Sequence, residues 1–120
     1  MIYSMKTLLI SGVGAPPAPL RDVIARGSTA LQERRVDEIS ADAATRLEVD
    51  RIVFWAEPGD SAVATLARHC AKAERARRRE AIVFVTSLGT EAQIEGLTPD
   101  EVFVWPRDED RLKMAFMTGA

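Results

Sequence analysis

Cysteine occurs once, at Cys70, so the chain can close no disulfide within itself and has no second thiol for a zinc knuckle or a Cys-x-x-Cys redox pair. That usage suits a reducing compartment, and the cytoplasm is the expected location. Long apolar runs are also missing. No stretch approaches the ~18 residues of a membrane span, and Met1-Ile-Tyr-Ser-Met-Lys6 lacks the charged start and apolar stretch of a secretory signal. Neither export nor membrane attachment is expected. Charge of one sign is lacking as well: 16 Lys and Arg stand against 18 Asp and Glu, for a formal net charge of −2. Such a balance gives no overall field to hold a nucleic-acid backbone or an anionic lipid surface. With 7 Gly and 6 Pro, collagen-like and low-complexity classes are excluded.

What is present is a globular composition, 47% hydrophobic and 28% charged over 120 residues, long enough to bury one core. One domain spanning 1–120 is expected, with residues 1–5 a frayed leader ahead of the first apolar run.

Leu8-Leu9-Ile10 with its neighbours, Ile52-Val53-Phe54-Trp55, Ile82-Val83-Phe84-Val85 and Val102-Phe103-Val104-Trp105 are short runs rich in β-branched or aromatic residues. They predict strands buried on both faces. Residues 29–36 are more polar and predict an edge strand, where charge is tolerated and useful. Helical patterns lie between the runs. Leu20, Val23 and Ile24 repeat at three and four in a stretch opened by Pro19 and closed near Gly27. Ser40 predicts an N-cap for a short helix bearing Ala43, Ala44 and Leu47 on one face. The stripe Val63, Leu66, Ala67 and Cys70 predicts a long helix over 61–79, and Ile94 with Leu97 a shorter one over 91–97. Leu112, Ala115 and Phe116 mark a terminal helix whose start carries Asp108 and Glu109, charges suited to the positive end of the helix dipole. Strict β-α alternation predicts an α/β domain with a doubly wound parallel sheet and helices on both faces. In such sheets functional sites lie outside the carboxyl ends of the strands, here after Ile10, Trp55, Val85 and Trp105.

The segments Asp50-Arg-Ile-Val-Phe-Trp-Ala-Glu-Pro58-Gly59, Ile82-Val-Phe-Val-Thr86-Ser87-Leu-Gly-Thr90-Glu91 and Val102-Phe-Val-Trp105-Pro106, the last followed by an acidic helix start, bear a family likeness. Together they resemble the receiver domain of two-component response regulators. That resemblance implies a five-stranded, flavodoxin-like sheet of strand order 2-1-3-4-5. It also implies where a phosphorylation site would lie: an acidic pair after the first strand for Mg²⁺, a carboxylate nucleophile ending the third, a hydroxyl after the fourth and a lysine after the fifth. The metal and the lysine would neutralise the transferring phosphoryl group.

In this chain the acidic pair falls on Ser11 and Gly12, the acceptor on Trp55 or Phe54, and the lysine on Trp105. Thr86 alone matches among the functional positions, together with the structural Pro58-Gly59 and Pro106. Ser11 and Gly12 offer no anion to a hard dication, and an indole cannot carry an acyl phosphate. The resemblance therefore implies a pseudo-receiver: not an enzyme, not phosphorylated, with no metal and no cofactor. Glu57 is the nearest acid to the expected acceptor. Two readings of the tryptophans stay open. Trp55 and Trp105 fill the former charged pocket as core, or they line an aromatic crevice for a small planar ligand, with Ser11, Thr86 and Ser87 as polar contacts.

Other groupings carry less. Ser11-Gly12-Val13-Gly14 has the setting of a phosphate-binding turn, but Pro17 stands where a third glycine would, and Pro16 and Pro19 further remove backbone donors. His69 and Cys70 are adjacent on a predicted helix and so point about 100° apart, which suits a buried thiol beside a flanking imidazole rather than a catalytic pair. No histidine is placed to activate Ser87. Arg75, Arg77, Arg78 and Arg79 complement the negative end of the long helix; without interleaved aromatics, a nucleic-acid partner is not expected. Met114, Phe116 and Met117 cluster at the chain end and suggest a contact surface built from the fourth helix, fifth strand and terminal helix. It would serve a protein partner or a weak homodimer. In the other reading, Phe116 joins Leu112 in the core.

Overall fold

The computed structural model describes residues 6–40, 49–57, 61–77, 82–87 and 102–117. Five strands form one sheet: β1 (Lys6–Ser11), β2 (Ala30–Arg35), β3 (Arg51–Ala56), β4 (Ile82–Ser87) and β5 (Val102–Trp105). All pairings are parallel, in the order β2-β1-β3-β4-β5. This is the flavodoxin-like order, and the polar segment takes the outer position that its charges predict. Three helices are described: α1 (Ala18–Arg26), α2 (Ser61–Arg77) and α3 (Glu109–Met117), with a short 3-10 turn at Val36–Glu38. The helices expected over 40–47 and 91–97 fall, Ser40 apart, on positions outside the described residues, as do 1–5 and 78–81. Among the described residues no helix is long and apolar enough to cross a membrane.

Alternation of side chains along each strand divides the core in two. One set of strand residues, Leu8, Ile10, Ile52, Phe54 and Ala56, packs with Val63, Leu66, Ala67 and Cys70 of α2. The opposite set, Leu9, Val53, Trp55, Val85, Phe103 and Trp105, packs with α1 and α3. Cys70 is fully buried while its neighbour His69 is exposed, the divergence that adjacent helical positions predict.

Local chemistry sets the boundaries of α1. Pro19 sits in its first turn, where a missing N–H breaks no helical bond, and Gly27 ends it by donating to the Val23 carbonyl at 3.2 Å. Gly27 has an ordinary negative φ of −85°. Its requirement is space: a Cβ there would stand 2.6 Å from Cβ of Phe116. The next residue, Ser28, donates its hydroxyl to the Ile24 carbonyl and meets Thr7 Oγ1, both at 2.7 Å.

Both outer strands have polar fastenings. Arg21 of α1 grips Glu33 of β2 with two hydrogen bonds, one from Nε at 2.8 Å. This guanidinium holds the Glu33 carboxyl below its ordinary pKa. At the other edge the Asp108 carboxylate accepts the Val104 N–H at 2.8 Å. Arg111 donates to the Val102 carbonyl and lies 4.3 Å from the centroid of the Phe103 ring. On β5 two backbone groups are thereby occupied by side chains. Asp108 thus reaches back to β5, while Glu109 and Asp110 supply the acidic first turn of α3.

Candidate functional site

Parallel pairing brings the expected site positions to one edge of the sheet. Ser11 is paired with Trp55, Ala56 with Thr86, and Ser87 with Trp105. Each strand therefore ends where the phosphorylation site of a receiver would be sought.

The described side chains divide between the two faces of the sheet. Trp55 (3% exposed) and Trp105 (8%) both belong to the core beneath α1 and α3. Phe54, the other position considered for the acceptor, is buried on the α2 side. Thr86 follows Val85 of the α1–α3 core and is paired with Ala56 of the α2 core, so its buried side chain leaves the sheet opposite the tryptophans. Trp55 and Trp105 thus leave the sheet on one face and Thr86 on the other. Ser11 is half-buried and Gly12 buried at the start of the β1–α1 loop. Ser87 ends β4, and its backbone position is all that is described. The Trp105–Pro106 peptide bond is cis.

Among the described residues at this edge, Val13, at 82% exposure, and Glu57 are exposed. Glu57 follows β3 and lies against the β1–α1 turn: a Cβ on Gly14 would stand 2.6 Å from its Oε1. Among the described residues no three His, Cys, Asp or Glu side chains are grouped to hold a metal ion.

Two features escaped sequence reasoning. Arg51 opens β3 and is only 4% exposed, its guanidinium carbon 4.1 Å from the centroid of the Phe116 ring. Its Nη1 is buried with no hydrogen-bond partner among the described residues, and burial pushes its pKa down against the opposing influence of Asp50. A charged residue at the head of an apolar run reads as a solvated strand end, and nothing local reveals the ring that covers it. The second feature is a groove of about 420 Å³ between α1 and α3. Its signals, Asp22 before Arg26 and Glu109 before Lys113 at i,i+4 spacing, are visible in the sequence, but their juxtaposition is not.

The terminal contact residues separate. Phe116 is buried at 3% in the α1–α3 core, where the missing side chain of Gly27 leaves it space, and it lines the floor of the groove. Met114 is 67% exposed. Met117 closes α3, and the fourth helix of the expected contact face lies outside the described residues. Arg75 and Arg77 lie in the last turn of α2, while Arg78 and Arg79 are outside the described residues.

No protein-family model, curated protein or solved structure matches the chain.

Proposed function

We propose that this protein is a non-catalytic, receiver-like interaction module, working in a reducing compartment by binding another protein chain and not by accepting a phosphoryl group. The observation that carries this reading is the chemistry of the strand ends. Phosphoryl transfer needs a carboxylate nucleophile, anionic metal ligands and a cation at the carboxyl edge of the sheet. Here the corresponding positions are Trp55, Ser11 with Gly12, and Trp105, and both indoles are buried among aliphatic and aromatic neighbours. Signal passes, on this reading, through surface association.

Incubation with a small acyl phosphodonor and Mg²⁺ tests it. The intact mass is expected to stay unchanged. A stoichiometric phosphoryl adduct on a carboxylate overturns the reading and directs attention to Glu57, the acid that follows β3.

One observation favours the small-ligand alternative: the buried Nε1 of Trp55 has no acceptor among the described residues, and a buried donor left unpaired is a cost that a bound acceptor would relieve. Saturable quenching or enhancement of tryptophan emission by a planar, acceptor-bearing compound would establish that alternative.

A further inference from the structure

We infer that the groove between α1 and α3 is the contact surface of a symmetric homodimer, the occupant being a second copy of this chain. This rests on the interaction reading above and names its partner. The groove is walled by Pro19, Asp22, Val23 and Arg26 on one side and by Glu109 and Lys113 on the other. Gly27 touches Phe116 across its floor, which aligns the C-terminal ends of the two helices. Both helices therefore run the same way, and each places an acid one turn ahead of a base on the groove wall. Acidic Asp22 and Glu109 occupy the half nearer the helix starts, and basic Arg26 and Lys113 the half nearer their ends.

Such a pattern is self-complementary. A twofold axis perpendicular to the groove reverses it, laying the acids of one copy over the bases of the other, and isologous contacts require this property of a surface. A partner of a single sign, a nucleic acid or an acidic peptide, would be attracted by one half of the groove and repelled by the other. Asp22 and Arg26 form no ion pair among the described residues, and the Glu109–Lys113 pair is a solvent-exposed contact at 3.5 Å along α3. Asp22 and Arg26 are therefore open to pairing across an interface, and the exposed Glu109–Lys113 pair can exchange its partners for those of a second copy. Two nine-residue helices make a patch smaller than the standard ~800 Å² per partner. The dimer is accordingly weak, with a dissociation constant on the order of 10–100 μM, and salt weakens it further.

Sedimentation velocity on the full chain at ~100 μM, in low and high salt, tests the inference alongside two double variants. Arg26→Glu with Lys113→Glu makes the groove wholly acidic, and Asp22→Lys with Glu109→Lys makes it wholly basic. The wild type is expected to dimerise in low salt and dissociate in high salt. Each double variant alone is expected to be monomeric, whereas their equimolar mixture forms a heterodimer at least as tight as the wild-type dimer. Recovery in the mixture shows that both variants are folded. A dimer that persists in both double variants overturns the groove and leaves the interaction reading standing on another surface. A wild type that stays monomeric, with a mixture that stays monomeric too, overturns self-association. Neither outcome depends on the phosphodonor result, which alone decides against the non-phosphorylated module.

Discussion

Trp55 carries both structural and functional weight at the residue scale. It occupies the position where the receiver likeness calls for an acceptor carboxylate, and its ring is 3% exposed in the core beneath α1 and α3. Removing it leaves a cavity that the surrounding strands cannot close, so Trp55→Ala is expected to destabilise the fold by about 3–5 kcal/mol. Chemical denaturation of the two proteins measures this. Emission from the wild type should be blue-shifted and resistant to small polar quenchers, since Trp105 is buried in the same cluster. A mild loss of stability with strong quenching would instead describe an open aromatic crevice. That these tryptophans stand at strand ends is legible in the apolar runs that contain them. That they face away from Thr86 is settled by register and strand alternation.

Helix α1 shows, at the scale of an element, how a local signal acquires a long-range meaning. Its start at Pro19, its stripe of Leu20, Val23 and Ile24 and its end at Gly27 are all readable from spacing. A glycine after a helix usually suggests a left-handed cap, yet Gly27 has negative φ and is needed for the approach of Phe116. Gly27→Ala would ordinarily stabilise such a position by restricting the unfolded chain, by about 0.4–1 kcal/mol. Here the new methyl would meet Cβ of Phe116 at 2.6 Å, an atom held close to the backbone of α3. Overpacking of this kind costs about 1–3 kcal/mol, so the variant is expected to be net destabilised. A thermal melt checks the sign; a Gly27→Ala variant more stable than the wild type would show that Phe116 gives way to the methyl.

For the whole molecule, two carboxylates hold the two edges of the sheet. Glu33 of β2 is kept below its ordinary pKa by its hydrogen bonds from Arg21. Asp108 is lowered first by Arg107, then by the Val104 N–H and by Arg111, against the opposing effect of burial. A carboxyl depressed in the folded state contributes stability that is complete above its unfolded pKa and is lost as the pH falls through the folded value. Both edges should therefore loosen in acid, below the ordinary carboxylate range. Denaturant midpoints measured down through that range should fall less steeply for Asp108→Asn than for the wild type; equal slopes would show that Asp108 contributes nothing. The sequence by itself determined the five strands, the three described helices and the polar outer strand. These are properties of composition and period along neighbouring residues, and the parallel sheet follows from them because parallel strands require crossovers. The 2-1-3-4-5 order was implied by likeness to receivers, and the pairing of the strands bears it out. Tertiary structure alone decided that Arg51 lies beneath Phe116, that Phe116 packs into the α1–α3 core, and that Asp22 and Arg26 share a groove with Glu109 and Lys113. Those contacts join segments far apart in the chain, and no local periodicity encodes which helix becomes the neighbour of which.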